Sequence, residues 1–264
     1  MDETLEAMRV DVSAGVAHVA FTDAARGNPI DGRFCRELAA VANEISSRAD
    51  VRAVLLTAEG KAFSYGGDVS MFVLSLETLP REIKRWTTDL HSAISRLQRM
   101  DAPIVAAVHG VCAGGMGAIV AGSDFVIASP AARFVAAYAG IGYSCDASAS
   151  VTLSRRMGLA RARRYLLRNE TLDASAALTA GLVDEIVEPE ALQPHARSLA
   201  EELARGPTRA LGEIRRLFLS ASDQSFETQL ELEAQALARS AGTEDAREGL
   251  IAFSEKRRPS FVGR

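Results

Sequence analysis

Two glycine-rich segments are the first candidates for chemistry: Lys61-Ala-Phe-Ser-Tyr-Gly-Gly-Asp68 and His109-Gly-Val-Cys-Ala-Gly-Gly-Met-Gly117. A glycine at a turn lets a ligand approach the backbone, because no Cβ stands in the way. Where such a turn enters a helix, the first N–H groups lack helical partners and can hold an anion or a developing oxyanion. The second segment follows the apolar run 103–108, read as a buried strand, and leads into a helix ending near Gly122. Neither segment is a P-loop, since G-x(4)-G-K-[ST] does not occur, and the second does not meet the G-x-G-x-x-G fingerprint. Tight helix–strand packing is the alternative explanation of either cluster.

The elements that must hold these turns alternate between strand and helix. Residues 8–22 alternate in polarity around Ala14-Gly15, which predicts a hairpin. Asp31 can cap a helix with Phe34, Leu38, Val41 and Ile45 on one face. The run 51–57 reads as a buried strand. Leu79-Pro80 opens a helix to about Arg99 with the stripe Ile83, Trp86, Leu90, Ile94 and Leu97. A further strand is expected at 124–128, and the alternation continues to about residue 187, which implies an α/β core at 1–187. Residues 188–264 read as helical, with a stripe of Leu192, Ala196, Leu199 and Leu203 and further helices near 208–220, 223–240 and 243–255. That region is suited to pack on a neighbouring subunit.

Composition excludes other classes. The chain has 264 residues, 48% hydrophobic and 24% charged, with a net charge of −4, so neither disorder nor a nucleic-acid partner is expected. The start, Met1-Asp-Glu-Thr-Leu-Glu6, has no basic or apolar stretch of a signal peptide. Cys35, Cys112 and Cys145 are an odd number at no metal-ligand spacing, so reduced thiols, no metal and a cytoplasmic location are expected. The 22 uncharged residues 102–123 could span a bilayer by length. Pro103, His109 and five glycines argue for strand and turn instead, and no membrane is expected.

Together the two segments carry a resemblance. Residues 61–69 resemble the K-A-F-x-x-G-x-D-[IL] segment of the crotonase (enoyl-CoA hydratase/isomerase) superfamily, and 103–117 resemble its P-x-[IV]-A-A-[IV]-x-G-x-x-x-G-G-G segment. The resemblance continues through Ser123-Asp124, residues 178–184 and residues 248–258, in family order. It implies a spiral of ββα turns, a C-terminal helical trimerisation region, and a homotrimer or homohexamer. It also implies an acyl-CoA thioester substrate, with coenzyme A as part of that substrate and no permanently bound cofactor. The family's oxyanion hole of two backbone N–H groups falls on Gly67 and Gly115. One such donor is worth roughly 3–4 kcal/mol.

The departures bear on the reaction. The two glutamates of family hydratases match Ala118 and Tyr138 here. Alanine moves no proton, and a tyrosine with a pKa of about 10 is a poor base at neutral pH. Asp146 is the only acidic residue between Asp124 and Glu170. With His91 upstream, residues 134–153 resemble the 4-chlorobenzoyl-CoA dehalogenase branch, which implies Asp146 as nucleophile and His91 as base. The separations from Gly115, 24 residues back to His91 and 31 forward to Asp146, fit that branch without gaps. An aspartate there can attack an activated carbon or take a proton near the thioester. Hydration by Asp146 with water is an alternative, and a catalytically silent acyl-CoA binder is another. Asp146 could instead cap a helix beginning near Ala147, and His91, about 100° off its helix's apolar stripe, could be a surface residue.

By resemblance, the adenine lies near the backbone of Ala62, Ser64, Tyr65 and Gly66. Arg26, Lys61 and Lys256 of an adjacent subunit would meet the phosphates. Tyr138 is expected to line the pocket, and Tyr65, Tyr138 and Tyr143 would suit a flat aromatic acyl group. His18, His109 and His195 are expected to be structural.

Overall fold

A computed structural model of the chain describes residues 5–264; the acidic start at 1–4 lies outside the described residues. The expected hairpin opens it, with β1 (Met8–Ser13) antiparallel to β2 (Val16–Phe21). Asp31 caps α1 (Gly32–Ser47), its carboxylate accepting the N–H groups of Arg33 and Phe34. Next come β3 (Ala53–Ala58), a short α2 (Val69–Leu74) that hydrophobic periodicity does not reveal, and α3 (Leu79–Arg99). The middle of the chain is β4 (Ile104–Val108), β5 (Val111–Ala113), α4 (Gly115–Ala121), β6 (Phe125–Ala128) and β7 (Arg133–Val135). Then follow α5 (Ala149–Met157), α6 (Leu159–Leu167), β8 (Thr171–Asp173), α7 (Ala174–Thr179) and β9 (Glu185–Ile186). Four helices close the chain: α8 (Pro189–Ala204), α9 (Thr208–Ser220), α10 (Phe226–Ala241) and α11 (Glu244–Ser254).

The strands form two sheets. The larger has the order β1-β2-β3-β4-β6-β9 and is parallel except for the hairpin; the smaller is β5-β7-β8. The chain steps from one sheet to the other and returns through helices: β4, β5, α4, then β6, β7, α5 and α6. This is the expected spiral of ββα turns.

Both faces of the large sheet are covered, which is why its strands read as unbroken apolar runs. Val54, Leu56, Ala106 and Val108 share a core with Phe34, Leu38, Leu90 and Val120. Their neighbours Ala53, Leu55, Val105, Ala107 and Ile127 pack instead against Leu192, Ala196, Ala200 and Ala204 of α8. Helix α8 therefore closes the core rather than belonging with the helices after it, and the boundary at 187/188 does not coincide with a break in packing. Its buried stripe runs through alanines, with Leu199 and Leu203 only partly buried, because small side chains let the helix approach the sheet closely. Among the described residues, no helix is long and apolar enough to cross a membrane.

Helix α9 is locked to the end of α3. The Arg215 guanidinium, 8% exposed, donates from Nε to both carboxylate oxygens of Asp124 (3.0 and 2.8 Å) and reaches the carbonyls of Leu97 and Met100. Gly212 makes the approach possible: a Cβ there would lie 2.6 Å from Asp101 Cα. Gly212→Ala gains about 1 kcal/mol of helix propensity. Overpacking against a backbone atom that cannot rotate away costs about 1–3 kcal/mol, and more at so short a distance. The expected result is a melting temperature lowered by a few degrees in a thermal melt; an unchanged or raised value would contradict this packing.

Candidate active site

Residue Ser64 stitches the two glycine segments together. Its N–H donates to Val111 O (2.9 Å), its carbonyl accepts from Ala113 N (3.0 Å), and it forms a parallel bridge with Cys112. The segments then run so close that a Cβ on Gly66 would lie 2.9 Å from Ala113 O. The next N–H groups are consumed locally: Gly66 N donates to Ser64 Oγ (3.0 Å) and Gly114 N to Val135 O (2.9 Å). Among the described residues, no hydrogen bond engages the N–H of Gly67 or of Gly115. Gly115 is the first residue of α4, where an N–H has no helical partner.

The wall beside Gly115 carries the candidate dyad. A Cβ on Gly115 would meet Ile30 Cδ1 at 3.1 Å, Ala147 Cβ at 3.4 Å and Tyr138 Oη at 3.8 Å. Next to Ala147, the Asp146 carboxylate lies 2.7 Å from His91 Nε2. Capping is not its role: α5 begins at Ala149 with Ser148 as N-cap, and Asp146 touches that turn only through its carbonyl, which accepts from Ala149 N (3.0 Å). His91 is on an exposed flank of α3, as its helical position predicts, but its ring is engaged by Asp146.

Tyr138 acts as a clamp. Its hydroxyl donates to the Asp146 carbonyl (3.2 Å), and its N–H donates to Asn169 Oδ1 (3.2 Å). Burial pushes the phenol well above its ordinary pKa, so it stays neutral at physiological pH. Ala137, Ala147 and Ser148 all hold positive φ (54°, 54° and 69°), so the dyad loop is bent at both ends against ordinary preference.

Gly67, Gly115, His91 and Asp146 all line one cleft of about 830 Å³. Its apolar side is an aromatic stack that periodicity only half revealed. Tyr143 and Phe72 lie 6.1 Å apart between ring centroids, and Phe72 and Trp86 6.4 Å, both near parallel. Trp86 was visible as a stripe residue of α3; Phe72 sits on the short α2, which has no periodic signal. Asp68 starts that helix by accepting from Met71 N (3.0 Å).

The residues assigned to coenzyme A divide. Tyr65 (58% exposed) and Gly66 line the cleft. Ala62 and Ser64 are buried and do not, and the Ser64 hydroxyl is spent on Asn28 O (2.6 Å) and Gly66 N. Arg26 is not a free cation for a phosphate. Its guanidinium is tied to Asp23 (2.9 Å), Asp31 (2.8 Å) and Asp68 (2.5 Å), and these bonds raise its pKa further. Burial opposes ionisation of Asp68, but the Met71 N–H and Arg26 outweigh it and hold the carboxylate below its usual range. Lys61 and Lys256 are exposed, and neither lines the cleft of its own chain. His18, His109 and His195 bond Thr57, Gly60 O and Glu185, away from the cleft.

A sequence profile described as enoyl-CoA hydratase/isomerase matches residues 11–264. The chain belongs to the enoyl-CoA hydratase/isomerase family. Within that family it is 33% identical over 260 residues to a probable enoyl-CoA hydratase of Rhodobacter capsulatus, covering 97% of this chain and 98% of that protein. It is 29% identical to 4-chlorobenzoyl coenzyme A dehalogenase-1 of an Arthrobacter species, covering 94% and 90%. A crystal structure titled putative enoyl-CoA hydratase/isomerase, from Mycobacterium abscessus, superposes with a TM-score of 0.91 at 32% identity, covering 98% and 100%. The chain is an enzyme of this family, and the carboxylate that lines its cleft is that of Asp146, while positions 118 and 138 carry alanine and tyrosine.

Tyr138→Phe separates a clamp from an acid–base group. Losing one hydrogen bond should cost about 1 kcal/mol of stability. Turnover should stay within about tenfold, short of the 10²–10⁴ that proton transfer by a side chain supplies. A larger loss of turnover in the folded variant would assign the proton to Tyr138.

Proposed function

We propose that the protein turns over an acyl-CoA thioester in this cleft, with the thioester oxygen received by the Gly67 and Gly115 N–H groups and Asp146 as the reacting carboxylate. The observation that carries the reading is the 2.7 Å contact of His91 Nε2 with Asp146 beside those two free donors. The aromatic stack of Tyr143, Phe72 and Trp86 supports a flat aromatic acyl group. The pattern of Asp146 and His91, with the similarity to a 4-chlorobenzoyl coenzyme A dehalogenase, favours hydrolytic substitution.

In that reaction an Asp146 oxygen forms a bond to the activated carbon, and the leaving group departs with its electron pair once charge held on the thioester oxygen returns. His91 takes a proton from water, whose oxygen attacks the Asp146 carboxyl carbon. The bond from that carbon to the substrate-linked oxygen breaks, and the proton ends on the product. A second reading, Asp146 as base for hydration or isomerisation, is favoured by the similarity to a probable hydratase.

The exposed Phe218, Phe226, Leu237 and Phe253 of the C-terminal helices support a homotrimer or homohexamer. Lys256 of an adjacent subunit and Lys61 are the cations left to meet the phosphates. The buried thiols of Cys35 and Cys112 support a cytoplasmic location.

A panel of aromatic and 2-enoyl CoA thioesters, read by mass spectrometry, tests the proposal. Asp146→Asn should lower turnover by about 10²–10⁴. His91→Gln should let an ester accumulate, seen as a mass increase on the protein. One turnover in ¹⁸O-water should give product carrying unlabelled oxygen from Asp146. Labelled product together with ²H exchange into substrate would instead establish the base reading. Full activity in Asp146→Asn defeats both.

A further inference from the structure

We propose that water reaches the His91–Asp146 pair through a second cavity, separate from the acyl cleft. The inference rests on the hydrolytic reading above, which needs water at the dyad while the acyl group occupies the cleft.

The second cavity has a volume of about 410 Å³. His91, Cys145 and Asp146 line both spaces; Ser95, Ser148 and Ser150 line only the second. The dyad thus forms part of the partition between them. Exposure agrees: the side chains of His91 and Asp146 are 54% and 40% exposed, more than a sealed acyl pocket would allow.

The chemistry of the lining suits water. Among the described residues, the hydroxyls of Ser95 and Ser150 have no hydrogen-bond partner in the chain, and Ser148 Oγ has only Thr152 Oγ1 at 3.5 Å. A cavity holds ordered water where it is roomy and offers two to four polar partners, and this one is many times larger than a single water needs. Ser95 comes from α3, the helix that carries His91, and Ser150 from the first turn of α5, just after Asp146. The route therefore exists because the two elements that bring the dyad together leave a serine-lined gap behind it.

Cys145 is a built-in reporter, since it lies on both cavities beside Asp146. The other thiols stay silent: both are buried, and burial pushes Cys35 up to about 12 and Cys112 higher still. The test is methyl methanethiosulfonate labelling of Cys145, followed by mass spectrometry, in the full-length protein with and without saturating benzoyl-CoA. With ligand bound, Cys145 should be labelled within about twofold of its free rate, because access from the second cavity persists. Ser150→Trp and Ser95→Trp, both at exposed positions, should slow labelling of the liganded protein by about tenfold or more while calorimetry shows benzoyl-CoA binding unchanged. Protection of Cys145 by bound benzoyl-CoA in the native protein would overturn the inference alone. So would liganded tryptophan variants that both fold, bind benzoyl-CoA and label at the native rate. Absence of benzoyl-CoA binding would overturn the acyl-CoA reading, and the inference with it.

Discussion

The site depends on one short backbone pairing, the two hydrogen bonds by which Ser64 joins Val111 and Ala113. They fix the two glycine segments side by side, and at buried positions each would cost about 1–3 kcal/mol if broken without replacement. The close approach excludes side chains at Gly66, so the residue type follows from the pairing. The Ser64 hydroxyl and Val135 carbonyl then use up the N–H groups of Gly66 and Gly114. What remains is a free donor one residue further along each segment. Two preorganised donors cost no reorganisation when charge develops on a carbonyl oxygen, which is the physical basis of oxyanion stabilisation.

The dyad is placed by a different means. His91 is held by a long helix whose apolar stripe packs into the main core, whereas Asp146 sits on a loop. That loop is bent at Ala137, Ala147 and Ser148, positive-φ positions that each cost on the order of 1–3 kcal/mol in a non-glycine residue. The Tyr138 hydroxyl holds the Asp146 carbonyl in place. An aspartate shifted onto the N-cap of α5 would gain about 1 kcal/mol of helix stability. Its carboxylate engages His91 instead, and the N-cap position of α5 falls to Ser148. A Cβ on Gly115 would meet Ala147 Cβ at 3.4 Å, so the donor and the carboxylate loop share one wall.

Much of this was legible in the residues. The long amphipathic helices, the buried strands and the hairpin follow from periodicity, and Asp146 stands out because no other carboxylate lies between Asp124 and Glu170. The three-residue strands of the small sheet and the six-residue α2 are too short to carry a period, so Phe72 went unseen as a pocket residue. Arg26 looked like a free cation because one of its carboxylate partners, Asp68, is 42 residues away. Whether Asp146 caps a helix or faces a histidine cannot be decided by local sequence, since both use the same side chain; the approach of α3 decides it. The packing of helix α8 on the sheet is not legible locally, because an alanine face reads as weakly apolar until the sheet beneath it is known.

The central claim is that the N–H groups of Gly67 and Gly115 are aimed, unpaired, at a thioester oxygen. The most direct measurement is the carbonyl stretch of benzoyl-CoA labelled with ¹³C at the thioester carbon, a ligand without a leaving group for Asp146 to displace, recorded by difference infrared spectroscopy free and bound to the protein. Two strong donors should polarise the carbonyl and shift the band to lower frequency. A bound ligand whose carbonyl absorbs at the frequency found in water or higher would contradict the account.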